Sequence, residues 1–306
     1  VLHPCLLKKE TILKLAVFNA YRIGVVDGEQ VYDITEVLPE PLRDWRYGHM
    51  NWLIAHWSSM LPAIHAARAA AQPQALASVN LHAPVPNAPH VFAAPANYRK
   101  HINELGVRSV SKGRSAREQG FFLKAPGSVV GPHSKIVLPR GSQRRFDHES
   151  ELAVIIGRAG RDIPRAQAMD YVFGYACLMD LTMRIEPGVA EEERSMRKSF
   201  ASFTPVGPFL VTADEVPHPD ALQNRLWVNG ELRQDANTRD MIVDIPEMIE
   251  LVSSVLALSP GDIIASGTPE GVGPMLPGDV VTIEIEQVGR MSLHVIEAAQ
   301  VAPRAF

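Results

Sequence analysis

Cysteine is scarce: Cys5 and Cys177 are the only two in 306 residues. That excludes a disulfide scaffold and a cysteine-rich zinc module, and it fits the reducing cytoplasm. No run approaches the ~18 apolar residues of a membrane-spanning helix. An excess of positive charge is lacking as well. Thirty Lys plus Arg against 34 Asp plus Glu leave a net charge of -4, so neither nucleic acid nor an anionic membrane is an expected partner. The opening VLHPCLLKKETILKLAVF has neither a long apolar core nor a small-residue cleavage site, and it does not read as a signal peptide. Residues 1–13 carry no usable pattern and are expected to be disordered or non-native. There is no G-x-G-x-x-G between a strand and a helix and no G-x-S-x-G, so dinucleotide binding and a serine-hydrolase elbow lack support. What is present is 46% hydrophobic and 21% charged residues, enough for a sizeable core in a soluble, folded chain.

The segment LKLAVFNAYRIGVVDGEQVYDITEVL reads as strands with a hairpin turn at Asp27-Gly28. Residues 48–72 have helical apolar spacing and end in an alanine-rich run. Pro84, Pro86, Pro89 and Pro95 then impose an extended chain, which places a boundary near residue 85. The expected organisation is a small N-terminal α/β domain over 1–85 and a larger domain over 86–306. The larger part is mostly strand signal: VFGYACLMDLTM, GPFLVTADEV, LQNRLWVNGELRQ, DIIASG and DVVTIEIEQVG. One helix is announced by DIPEMIELVSSVLAL, with a D-x-x-E cap and Pro246 in its first turn. The fold class is α+β, mostly β: a roll or barrel with few helices.

The most informative segment is FDHESELAVIIG, residues 146–157. In a strand, Glu149 and Glu151 share a face, about 6.5 Å apart. If that face is buried, two desolvated carboxylates need a cation, and a hard divalent metal with oxygen ligands supplies one. A solvated edge strand fits the same spacing. Asp180, at the end of the apolar run FGYACLMD, is either a turn former or a third oxygen ligand. His101 and Glu104 stand at i and i+3, where a short helix would let the carboxylate orient the imidazole to take a proton from water. Taken alone, the pair reads first as a surface hydrogen bond. Glu191-Glu192-Glu193-Arg194 is most simply a solvated face, and Lys198 alone is ambiguous. The loop Gly267-Thr268-Pro269-Glu270-Gly271-Val272-Gly273-Pro274 can offer backbone N–H groups and a hydroxyl to an anion, or can be a plain tight turn.

In combination these words resemble the fumarylacetoacetate hydrolase superfamily over about residues 90 to 295. The resemblance rests on Glu149-Ser150-Glu151 running into Val154–Gly157, on Gly174-Tyr175 followed by Asp180-Leu181-Thr182-Met183-Arg184, and on Lys198-Ser199-Phe200. It rests further on Pro205-Val206-Gly207-Pro208, on Val228-Asn229-Gly230-Glu231 with Gln234, on the intact 267–274 loop, and on Asn97-Tyr98 with His101 and Glu104. It implies a mixed β-roll catalytic domain, a homodimer, and Mg2+ or Mn2+ held by Glu149, Glu151 and Asp180. It further implies a His101–Glu104 dyad that activates water under a lid, Lys198 at a developing oxyanion, and substrate contacts from Tyr98, Arg184, Gly267 and Thr268.

The activity that follows is metal-dependent hydrolysis of a C–C bond in a small 2,4-dioxo acid of the acylpyruvate type. Pyruvate and a carboxylic acid would be the products, in the catabolism of aromatic compounds or sugars. The alternative is decarboxylation or isomerisation of an unsaturated 2-oxo dioate through the same ligands. A non-enzymatic small-molecule binder is a third reading. One departure concerns substrate selection. After Arg184 many relatives continue with an acidic residue and then a Gln, whereas this chain has Ile185-Glu186-Pro187-Gly188 and then an unusual stretch up to Lys198.

Overall fold

The Asp27-Gly28 turn closes a hairpin in the computed structural model, which describes residues 13–105, 113–185 and 193–301. Strands β1 (Lys14–Phe18), β2 (Arg22–Asp27) and β3 (Gln30–Asp33) form an antiparallel meander, and Gly28 takes the left-handed φ of 55° that this turn requires. The helix expected over 48–72 is present in two pieces, α1 (His49–Ala55) and α2 (Trp57–Ala70), separated at His56, whose backbone is not helical. Met50, Leu53, Ile54 and Ile64 are its buried face. Strand β4 (Pro73–Ala75) returns to pair with β3. Of residues 1–13, only Leu13 is described; it is buried, and its N–H donates to the Thr212 hydroxyl.

Beyond the proline run come β5 (Val91–Ala93), α3 (Arg99–Leu105), α4 (Ala116–Gln119) and β6 (Phe122–Lys124). The chain continues through β7 (Val129–Val130), β8 (Ile136–Arg140), β9 (Phe146–Asp147), β10 (Ser150–Ile156), β11 (Val172–Met179) and β12 (Thr182–Met183). After α5 (Arg194–Arg197) come β13 (Thr204–Thr212), the hairpin β14 (Gln223–Val228) and β15 (Glu231–Asn237), and α6 (Ile245–Val255). The Asp244 carboxylate caps α6 by accepting the Glu247 N–H at 2.9 Å, as the D-x-x-E pattern predicts. Strands β16 (Ile263–Ala265), β17 (Val280–Ile285) and β18 (Gly289–Val301) complete the chain.

The strands make one large mixed sheet, in the order β4-β3-β2-β1-β13-β11-β10-β16-β5-β6 with β7 on β13. A five-stranded sheet, β15-β14-β17-β18-β8, and the β9–β12 pair complete the mostly β architecture expected of the chain. The N-terminal strands join the large sheet through β1, which pairs antiparallel with β13. Strands β10 and β11 are covered on both faces. Leu152, Val154, Ile156, Tyr175, Cys177 and Met179 point into one core, and Ala153, Ile155, Ala176 and Leu178 into the other. Two-sided burial explains why their sequences read as continuous apolar runs with little alternation. Burial pushes the Cys177 thiol up to about 12, so it is an inert core group. No helix among the described residues is long and apolar enough to cross a membrane.

Candidate active site and metal centre

Alternation along β10 places Glu149 and Glu151 on the same side as Ala153 and Ile155. Register then supplies the third carboxylate. Ser150 lies opposite Met179 and Glu151 opposite Leu178, so Asp180 falls beside Glu149 and donates its N–H to the Glu149 carbonyl at 2.9 Å. One carboxylate oxygen from each of Glu149, Glu151 and Asp180 lies within 4.8 Å of the others, and all three residues are at most 4% exposed.

Three buried carboxylates need compensation, and the structure distributes it unevenly. Lys198 donates to Glu149 at 2.8 Å and also to Asp180. Arg184 donates to Asp147 at 2.7 Å and also to Glu149. Burial alone would raise the Glu149 carboxyl, but the charges of Lys198 and Arg184 hold it well below the ordinary carboxylate range. Glu151 goes the other way: burial, and then the charge of Asp180, push it well above that range, although the Gly267 N–H donates to it at 2.7 Å. A carboxyl forced toward its neutral form beside two others is the signature of a place for a cation. The donors are hard oxygens, so the residues fit a divalent metal such as Mg2+ or Mn2+.

A second buried lysine escaped the sequence reasoning. Lys124 of β6 is 1% exposed; its ammonium donates to Asp180 and, at 3.0 Å, to the Phe203 carbonyl. Burial pulls its pKa down, against the pull of Asp180. The signal was a lysine inside the strand-like run FFLK, where alternation sets it on the face of Phe122.

The predicted dyad forms on α3. His101 is buried, and its Nδ1 lies 3.4 Å from Glu104 Oε2. Glu104 also accepts the Gly271 N–H at 3.0 Å, which ties α3 to the 267–274 loop. Burial would raise Glu104, but the bonds from His101 and the Gly271 amide outweigh it and hold the group below its usual range. The backbone N–H groups of Gly267 and Gly271 therefore serve the protein's own carboxylates. Gly267 has φ 89°, and a Cβ there would meet the Asn97 Cβ at 2.5 Å, so glycine is required for the close approach. Thr268 is buried and accepts the Gln234 side-chain amide at 2.9 Å. The hydroxyl of Tyr98 is buried and has no partner among the described residues; burial and the charge of Glu151 raise its pKa, which keeps it a proton donor.

Glu149, Glu151, Asp180, Arg184 and Lys198 thus form one buried ionic network. His101, Glu104, Gly267 and Thr268 are attached to it through the two glycine amides. Residues 186–192, with Glu186-Pro187-Gly188 and Glu191-Glu192, lie outside the described residues. Gln234 is the brace of the loop: its Oε1 accepts the Ser150 N–H at 3.0 Å, and its Nε2 donates to Thr268 and Pro269. Gln234→Leu is expected to destabilise the fold by about 1–3 kcal/mol, because it leaves the buried Ser150 N–H unpaired; a denaturant melt against the parent measures it.

Comparison with known proteins places this geometry among relatives. The family model described as fumarylacetoacetate (FAA) hydrolase, C-terminal, matches residues 90–296. A maleylpyruvate hydrolase of Aquipseudomonas alcaligenes is 42% identical over 290 residues, covering 92% of this chain and 99% of that protein. The crystal structure of maleylpyruvate hydrolase from Sphingobium sp. SYK-6 in complex with manganese(II) and pyruvate superposes with a TM-score of 0.80 at 42% identity, over 94% of this chain and 100% of the other. A 2-hydroxyhepta-2,4-diene-1,7-dioate isomerase from Mycobacterium marinum matches with a TM-score of 0.69 and 28% identity, over 94% and 100% of the two chains.

Proposed function

Because the chain belongs to the fumarylacetoacetate hydrolase family, we propose that its substrate is an acylpyruvate of the maleylpyruvate type and that the site residues act as follows. The protein is a metal-dependent hydrolase that cleaves a C–C bond in a small 2,4-dioxo acid, yielding pyruvate and a carboxylic acid. The observation that carries the role assignment is the buried Glu149–Glu151–Asp180 cluster with the His101–Glu104 dyad fastened beside it.

Glu149, Glu151 and Asp180 would hold a divalent cation, which when bound would supply Lewis acidity toward the 2-oxo acid and the charge that leaves with pyruvate. His101, oriented by Glu104, takes a proton from water. The resulting hydroxyl adds to the distal carbonyl carbon, and Lys198 faces the oxyanion that forms. The bond between that carbon and the pyruvate methylene then breaks. Its electron pair stays with pyruvate as the enolate, which recovers the proton from His101. Thr268, braced by Gln234, binds the substrate carboxylate through its hydroxyl, Gly267 lets the loop approach closely while its N–H stays on Glu151, and the Tyr98 hydroxyl donates to a substrate oxygen.

Mg2+ is the proposed cofactor, with Mn2+ as its substitute; the all-oxygen donor set supports both. A homodimer in the reducing cytoplasm belongs to the same proposal, the former from the family and the latter from the sparse cysteine. The division near residue 85 is supported by the proline run and by a family match that begins at residue 90.

The test is a panel of acylpyruvates and unsaturated 2-oxo dioates with Mg2+ or Mn2+, a chelated control, and products identified by mass. Pyruvate plus a carboxylic acid, lost on chelation, is the expected result. Carbon dioxide or an isomer of unchanged mass would instead establish the second reading, a decarboxylase or isomerase, which the resemblance to the dioate isomerase favours.

A further inference from the structure

Arg194 opens α5, four residues before Lys198, and it is half-buried. Its guanidinium lies 5.4 Å from the centroid of the Phe122 ring, and the Lys198 ammonium lies 5.3 Å from the centroid of that same ring. One aromatic side chain therefore seats two cations beside the acidic cluster. The carboxylates of Asp180, Glu193 and Glu149 are within electrostatic reach of Arg194, as is the like charge of Arg114.

The partners of Arg194 are weak for so strong a cation. Its one hydrogen bond among the described residues goes to the Gln119 side-chain oxygen, at 3.0 Å. Gln119 is turned for that task, because its own amide donates to the Arg114 carbonyl at 2.7 Å at the end of α4. Among the described residues no carboxylate forms an ion pair with Arg194, whereas Lys124 pairs with one carboxylate and Lys198 and Arg184 with two each. A half-desolvated guanidinium held by a neutral amide and an aromatic face keeps its remaining N–H donors for something else. Its planar fork matches a carboxylate in two-point geometry.

We propose that Arg194 is the specificity-determining residue for the distal end of the substrate, where it binds a second carboxylate and selects 2,4-dioxo dioates over acylpyruvates that end in an uncharged group. The assignment rests on the hydrolase reading above. Lys198 serves the reacting centre and the metal ligands serve the pyruvoyl end, so the guanidinium that shares the Phe122 ring with Lys198 is assigned to the acid that departs. It takes no part in bond making.

The experiment compares two substrates on the intact metal-loaded enzyme: maleylpyruvate, which ends in a carboxylate, and acetylpyruvate, which ends in a methyl. Arg194→Gln is expected to raise KM for maleylpyruvate about 10- to 100-fold, the loss of a charge-assisted hydrogen bond, while kcat/KM for acetylpyruvate stays within about twofold. Arg194→Lys, which keeps the charge without the fork, should recover part of the loss. An equal loss on both substrates would mean that Arg194 merely props up α5, and an unchanged KM for the dioate would remove it from the substrate altogether; either result overturns the assignment. Wild-type enzyme that hydrolyses neither compound overturns the hydrolase reading itself, and the acetylpyruvate rate tells that failure apart from the others.

Discussion

Asp180→Asn is expected to reduce kcat/KM by more than about 1,000-fold and to release the divalent ion, because the metal supplies several kcal/mol of transition-state stabilisation. The change keeps the shape of a side chain wedged between Lys124 and Lys198 and removes only its charge. Asp180→Ala is the poorer test, since it would leave the wholly buried Lys124 ammonium with the Phe203 carbonyl alone. Glu149→Gln should behave alike and also free Arg184 to pair with Asp147 alone. Bound Mn2+, followed by electron paramagnetic resonance on the refolding-competent variant, and pyruvate release should fall together. Activity retained in a protein shown to be free of metal would refute the metal-dependent mechanism.

His101→Ala separates the two halves of the site. It should keep its Mn2+, since His101 touches Glu104 and no member of the acidic cluster by hydrogen bond among the described residues. Hydrolysis should nevertheless fall about 100- to 10,000-fold, the usual contribution of a general base. A decarboxylase or isomerase has less need to activate water, so any such activity in the wild type should survive the substitution. Unchanged pyruvate release would remove His101 from the mechanism. Glu104→Gln is a milder version: it loosens the imidazole and the Gly271 tie between α3 and the 267–274 loop.

The parts of this site that were legible in the sequence are those written in local pattern. Glu149 and Glu151 share a face because a strand has a period of two, and the Asp244 cap of α6 is visible in four residues. What was not legible depends on which strands lie side by side. Nothing near Asp180 says that it sits beside Glu149; that comes from the β10–β11 register. Nothing near Lys14 says that β1 extends the sheet of the catalytic part through β13, 199 residues from Leu13 to Thr212 along the chain. Lys124 was passed over because a single lysine is ordinarily a surface residue, and only the packing of β6 shows that this one has nowhere else to put its charge than Asp180. Gln234 belonged to a recognised word, but its work as a brace needs the 34-residue separation from Thr268 to close in space.

The carboxylates proposed to bind the metal stand at the shared end of β10 and β11, strands packed on both faces in the middle of the large sheet. The groups proposed to meet the rest of the substrate sit on or beside short helices and a loop: α3, α5 and the 267–274 turn. The sheet therefore carries the proposed metal ligands, whereas the short helices and the loop carry both the His101–Glu104 dyad and the residues proposed to choose the substrate. A chain built this way can exchange one dioxo acid for another by substitution at Arg194 or in the 267–274 loop, whereas a single methyl misplaced between β10 and β11 would disturb every reaction it performs.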